Sequence, residues 1–249
     1  MLVKLLQRPA NTWMRLGELA RLMSESPELG EAYASLHTGL QLSGTFNSGK
    51  TILVTSTQPH EGKTTIAAGL AIATSLAGQS ALLIDGDLRR PSLASVTGIA
   101  SGIGLGEVLD GRTDPMDAIH EIDLFEDAQE AGPVSVMVAG RKSPAFLPTV
   151  DWSKARTTFR SLSQRFDIVL LDSPPILAAN DALLLAGIVD AVLFVIGAGS
   201  ADREEVRRAK KQLEATGTPV IGAVLNMFDP RVHGRSNQPY RGYNLDSRP

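Results

Sequence analysis

The chain has 249 residues, 43% of them hydrophobic and 20% charged, the composition of a globular chain long enough for one sizeable α/β core. A formal net charge of −3 argues against broad electrostatic binding to nucleic acid. Cysteine is absent, which excludes disulfides and thiolate metal sites.

Met1 to Met23 mixes Leu, Met and Trp13 with Lys4, Arg8, Arg15 and Arg21, a basic amphipathic pattern suited to a surface helix, a loose terminus or a membrane face. Its apolar start is broken by Lys4, Arg8 and Pro9, so no signal peptide is expected. Ser24 to Pro27 reads as a turn and Leu29 to Leu42 as a helix, in which the Tyr33 ring is expected to be packed.

Thr51 to Val54 is a short, β-branched apolar run and reads as a buried strand. Ser56 to Gly62 contains Pro and Gly and reads as a loop, and Ile66 to Ala73 as a helix packed on a sheet. Gly62-Lys63-Thr64 at this strand-to-helix turn is the chemical core of a phosphate-binding loop. Backbone N–H groups and the helix N-terminus would cradle an anion, Lys63 would reach β- and γ-phosphates, and the Thr64 hydroxyl would ligate Mg²⁺. Thr57 stands where the usual spacing puts a first glycine. The uncharged stretch from Thr64 to Ile84 is long enough to span a bilayer, but Gly78-Gln79-Ser80 divides it into a helix and a strand. A soluble protein without a membrane span is therefore expected.

Ala81 to Ile84 is a second buried strand, ending in Asp85 and Asp87, where a parallel sheet delivers side chains to a ligand. Two carboxylates beside a triphosphate suit Mg²⁺ ligation and activation of a hydroxyl nucleophile. Gly104 to Leu109 reads as a short helix, the acidic stretch from Arg112 to Gln129 carries no assignment, and Val134 to Ala139 reads as a strand. Gly140 to Pro148 reads as a loop and Asp151 to Gln164 as a helix with Arg156, Arg160 and Arg165 outward. Phe166 to Leu171 is a third buried strand, ending in Asp172 and stopped by Pro174-Pro175; its aspartate has the Walker B form that holds Mg²⁺ through water. A helix over Asp181 to Ala186, a strand over Asp190 to Ile196, a charged helix over Asp202 to Thr216 and a strand over Pro219 to Leu225 complete the pattern. Continuous apolar strands alternating with helices predict an α/β fold, a mostly parallel sheet covered by helices on both faces and of the P-loop NTPase kind. From Asp229 the chain turns polar, with Arg, Gly, Ser and Pro, and reads as a flexible tail holding Tyr240 and Tyr243.

The phosphate loop, the paired aspartates and the D-S-P-P strand end together resemble the bacterial tyrosine kinases of polysaccharide export, the BY-kinases. These belong to the deviant-Walker P-loop class that also contains the MinD and ParA ATPases. The family's loop, S-x-x-P-G-E-G-K-[ST], is followed approximately by Ser56 to Thr64, with His60 in place of a glycine. Its D-x-D-x-R motif matches Asp85, Asp87 and Arg89, its Walker B strand matches Ile168 to Asp172, and its L-N-x-x-D strand end matches Asn226. The resemblance covers roughly residues 28 to 228, which divides the chain into an N-terminal segment (1–27), a kinase domain (28–228) and a tyrosine-bearing tail (229–249).

The resemblance implies an ATP- and Mg²⁺-dependent tyrosine autokinase. It implies nucleotide binding by Pro59, His60, Glu61, Gly62, Lys63, Thr64 and Thr65, with Asn226 at the adenine. Thr64, Asp87 and Asp172 would serve the metal; Lys63, Asp85 and Asp87 would be catalytic, with Asp85 as the base for the tyrosine hydroxyl. Tyr240 and Tyr243 would be the phosphoacceptors. The implied partner is the cytoplasmic tail of a membrane polysaccharide co-polymerase, which would recruit a cytoplasmic kinase to the inner face of the membrane. The family's ring-assembly motif E-x-x-R-x-x-R appears as Glu31, Ala34 and His37, so any homo-oligomer is expected to be weak at pH 8 and tighter toward pH 6, as His37 gains a proton. Two further readings share these residues. A MinD/ParA-type ATPase switch would carry a second lysine where this chain has Gln58. A nucleotide-binding pseudokinase docked on the export machinery is favoured by His60, the missing arginines and the two-tyrosine tail.

Overall fold

The computed structural model describes residues 14–44, 49–100, 102–125, 131–141 and 144–229. In chain order these form α1 (Leu16–Glu25), α2 (Pro27–Leu42), β1 (Lys50–Ser56), α3 (Lys63–Leu76), β2 (Ala81–Asp85), α4 (Leu93–Thr97) and α5 (Leu105–Leu109). There follow β3 (His120–Ile122), β4 (Val134–Met137), α6 (Trp152–Ser163), β5 (Ile168–Asp172), α7 (Asp181–Ala186), β6 (Ala191–Gly197), α8 (Arg203–Ala215) and β7 (Val220–Asn226). The sheet order is β3-β4-β2-β5-β1-β6-β7, with every pairing parallel except β3 with β4.

Side-chain alternation along the strands splits the core in two. Ile52, Val54, Leu83 and Leu170 face a layer formed by α1, α2 and α3, while Leu53, Ile84 and Leu171 face α5, α6, α7 and α8. The period of two carries on past the last apolar residue, so Asp85 and Asp172 continue the row of Leu83 and Leu170 toward the α3 side. Helix starts are set by local chemistry. Ser26 caps α2 ahead of Pro27, its hydroxyl accepting from Leu29 N, and Asp151 and Asp202 cap α6 and α8.

Several expectations need correction. Only Ser26 separates α1 from α2, so the turn expected over Ser24 to Pro27 is a single residue. Leu16, Leu19, Ala20 and Met23 of α1 lie in the same core as α3, so packing does not break at the boundary expected after residue 27. The unassigned acidic stretch contains β3, a three-residue edge strand too exposed to show an apolar run. The loop expected over Gly140 to Pro148 includes a 3₁₀ turn, Pro144–Thr149. His37 is only 5% exposed, its Nε2 lies 2.9 Å from Gln79 Oε1, and burial lowers its pKa. At 100° per residue, position 37 lies about 120° around the helix from Glu31, toward the core. Acidification toward pH 6 therefore puts no imidazolium on the outer face of α2. Residues 230–249, with Tyr240 and Tyr243, lie outside the described residues, as do residues 1–13.

The Tyr33 ring is fully buried, its hydroxyl donating to Thr65 O (3.1 Å), and it packs against Gly69 of α3. A methyl group at position 69 would overlap the ring. Gly69→Ala, worth about 1 kcal/mol of added stability on an exposed helix, should instead destabilise the domain by about 1–3 kcal/mol through overpacking. Urea denaturation measures this, and Tyr33→Leu in the Gly69→Ala background should recover part of the loss.

Candidate nucleotide and metal site

The loop between β1 and α3 is shaped by two left-handed residues. His60 has φ 66° and Gly62, the N-cap of α3, has φ 88°. A side chain at 62 would overlap the Asn226 amide, so glycine is required there twice over. The loop does need a positive φ at position 60, which costs a histidine on the order of 1 kcal/mol. Pro59 and His60 are exposed at the crest, and Thr64 and Thr65 are half-buried in the first turn of α3.

Two residues expected at the nucleotide hold the loop instead. The Glu61 carboxylate points inward, 1% exposed, and accepts from Gln58 N (2.7 Å) and from Gly197 N at the end of β6 (3.0 Å). It is not offered to a phosphate, which it would repel. Asn226, 1% exposed at the end of β7, donates from Nδ2 to Glu61 O (2.9 Å), and its Oδ1 is buried without a hydrogen-bond partner. The contact it makes is with the loop, different from the adenine contact expected of it.

The carboxylates meet at the C-terminal edge of the sheet, where Asp85 and Asp172 are register partners on β2 and β5. Thr64 Oγ1 donates to Asp172 Oδ2 (2.5 Å) and lies 3.0 Å from Ser92 Oγ. Asp172 Oδ1 is buried without a partner. Asp85 is fully buried; its Oδ2 accepts from Ser92 N and Leu93 N (both 2.9 Å) and its Oδ1 from Asp87 N (3.2 Å). Asp87 is half-buried, with Oδ1 accepting from Arg89 N (3.2 Å) and Arg90 N (2.9 Å).

The electrostatics follow from burial. Desolvation, with Asp172 as a like-charged neighbour, pushes Asp85 up to about 7 despite its three N–H donors. Burial also pushes Asp172 up to about 6, against the pull of Lys63 and of the Thr64 hydrogen bond. Burial lowers the Lys63 pKa, partly offset by Asp172, Asp87 and Glu61. The residues fit a magnesium ion with a nucleotide phosphate. The unpartnered Asp172 Oδ1 beside the Thr64 hydroxyl is an all-oxygen donor set for a hard cation, and the left-handed turn ahead of α3 is an anion cradle.

Sequence reasoning brought Lys63, Thr64, Asp85, Asp87 and Asp172 to one edge, and the structure places them together there. It missed Ser92, the inward turn of Glu61, and Asp181, which pairs with Arg89. A serine or aspartate in a polar turn gives no pattern of its own, so no sequence signal marks these contacts.

Such an edge on such a sheet defines a P-loop nucleotide-binding domain, and residues 52–241 match the model of the CobQ/CobB/MinD/ParA nucleotide binding domain. The tyrosine-protein kinase CpsD of Streptococcus pneumoniae serotype 4 is 33% identical over 204 residues, 82% of this chain and 86% of that one. The tyrosine-protein kinase YwqD of Bacillus subtilis (strain 168) is 30% identical over 206 residues, 82% of this chain and 84% of that one. The kinase domain of the Escherichia coli tyrosine kinase ETK superposes with a TM-score of 0.78 at 25% identity, covering 97% of this chain and 93% of that chain. The chain belongs to the bacterial tyrosine-protein kinase family, the BY-kinases, within that nucleotide-binding class.

Asp172 yields a pH prediction for the metal-free protein. Its folded pKa, about 6, lies above the ordinary 3.8. The folded state thus holds this proton more tightly than the unfolded state, and stability is lost as pH rises from about 4 through about 6. Asp172→Asn keeps an acceptor for Thr64 and removes the buried charge. It should be more stable than wild type at pH 8 by about 1–2 kcal/mol, with the gap closing toward pH 4. Urea titrations at the two pH values measure it.

Proposed function

We propose that this chain is an ATP- and Mg²⁺-dependent tyrosine autokinase that regulates the synthesis and export of a capsular or extracellular polysaccharide. The observation that carries the reading is the meeting of Gly62-Lys63-Thr64 with Asp87 and Asp172 at one sheet edge, where the Thr64 hydroxyl is already bonded to Asp172. No helix among the described residues is long and apolar enough to cross a membrane. Activation by the cytoplasmic tail of a membrane adaptor, with recruitment to the inner face of the membrane, fits the family.

Lys63, held at the first turn of α3, neutralises charge on the transferring phosphoryl group, and the α3 N-terminus orients it. Thr64, Asp87 and Asp172 would hold Mg²⁺, which when bound would supply charge neutralisation for phosphoryl transfer. Asp85 takes the phenolic proton; a carboxylate near neutrality suits that task, and since the side chain is fully buried its Oδ1, with only one long hydrogen bond, has to be uncovered as the tyrosine enters. The tyrosine oxygen bonds to the γ-phosphorus, the bond from that phosphorus to the bridging oxygen breaks, and ADP leaves. Tyr240 and Tyr243 are the acceptors, on a polar tail able to reach a neighbouring copy's site. Buried Tyr33 is not an acceptor. Gln58, where a MinD-type switch has its second lysine, donates from Nε2 to Glu205 of α8 (3.1 Å), a contact within the chain that favours the kinase reading over the switch.

Purified protein incubated with labelled ATP and Mg²⁺, with and without an adaptor tail peptide, should acquire phosphotyrosine. Lys63→Met and Asp172→Asn should each lower transfer by at least about 100-fold while remaining folded, as expected for loss of a main charge-stabilising group. Tyr240→Phe with Tyr243→Phe should remove most autophosphorylation and leave ATP affinity unchanged. ATP binding without phosphotyrosine in the wild type, adaptor present, would overturn the kinase reading in favour of a nucleotide-binding docking protein.

A further inference from the structure

The turn that carries Asp87 runs from Gly86 to Ser92, between β2 and α4, without a strand or helix of its own. It is tied down at intervals of three residues, at Gly86, Arg89 and Ser92, to four different elements. At one end Gly86 N donates to Asp172 O of β5 (2.7 Å). At the other, Ser92 closes on Asp85 through its amide and on Thr64 of α3 through its hydroxyl. Midway, Arg89 forks onto Asp181, the first residue of α7, with Nε donating to Oδ2 and Nη2 to Oδ1 (3.1 Å). The Asp181 side chain is 9% exposed and that of Arg89 53%.

A half-exposed ion pair contributes little to global stability, because water screens it. A bidentate guanidinium–carboxylate pair does fix direction, since two parallel hydrogen bonds forbid rotation. The direction matters here because Asp87 Oδ1 accepts from the amides of Arg89 and Arg90. Carboxylate 87 and backbone 89–90 thus move as one unit, and the side chain of Arg89 clamps that unit to α7.

We propose that Arg89 and Asp181 are positioning residues that hold the Asp87 carboxylate in place for the metal; this rests on the reading of Asp87 as a metal-holding residue. Neither touches the reacting atoms. Loss of the clamp lets the middle of the turn drift while its two ends stay tied, so metal affinity falls and metal-free nucleotide binding does not.

The test compares Asp181→Asn, Arg89→Gln, Arg89→Lys and their double combinations with Asp87→Asn. Three quantities are read: the Mg²⁺ concentration for half-maximal binding of a fluorescent ATP analogue, the affinity for that analogue without metal, and amide hydrogen exchange at residues 87–92 without nucleotide or metal. Asp181→Asn and Arg89→Gln should each raise the Mg²⁺ half-saturation about 10-fold, the range for groups that orient metal ligands. Metal-free affinity should stay within about 2-fold, exchange at Arg89 and Arg90 should speed up, and the double variant should be no worse than the singles, as for partners in one contact. Arg89→Lys, which keeps the charge and loses the fork, should fall between. Unchanged Mg²⁺ half-saturation in both single variants, with Asp87→Asn raising it, would overturn the clamp alone. No change in Asp87→Asn itself would overturn the metal reading of Asp87, and the clamp with it. Arg89 lies at the surface, so its variants keep the test open if Asp181→Asn folds poorly.

Discussion

Lys63 is a largely buried ammonium facing Asp172, Asp87 and Glu61, and the rest of the site is arranged around the charges gathered there. Burial works against the charged forms of Lys63 and Asp172. The carboxylates around Lys63 are held in place by backbone N–H groups: three on Asp85, two on Glu61 and two on Asp87. The loop and turn are therefore built by their carboxylates as much as the carboxylates are placed by them. A cation and a polyanion entering together would satisfy Asp172 Oδ1 and Lys63 at once, so binding of the two should reinforce each other.

The fold was legible because buried parallel strands are uninterrupted apolar runs, and a carboxylate ending such a run can only lie at the sheet's edge. That logic located Asp85 and Asp172 from Leu82 to Ile84 and from Ile168 to Leu171 alone. It failed for β3, whose three residues are exposed or half-buried and include His120 and Glu121. For α1 it left a surface helix, a loose terminus and a membrane face open, and the structure shows a surface helix whose Leu16, Leu19, Ala20 and Met23 are core.

Within the site, residue types were legible and their directions were not. Glu61 and Asn226 have the chemistry of ligand-binding residues, yet both serve the loop, because the ends of β6 and β7 pass directly beneath it. His37 occupied a position that motif matching assigned to an interface, and helical rotation turned it inward to Gln79. Arg89 and Asp181 meet across 92 positions of sequence, a contact that no local pattern announces.

The attachment of Asn226 beneath the phosphate loop has a consequence for Tyr240 and Tyr243, the proposed acceptors. The polar tail is rooted almost at the loop itself, since β7 ends on the residue that holds Glu61 O. Fully extended, the stretch from Asn226 to Tyr240 spans at most about 48 Å. A span of that length includes the site beside which β7 ends. Reach therefore does not discriminate between the chain's own site and a neighbour's. Met227, left-handed at φ 57°, turns the chain as it leaves β7.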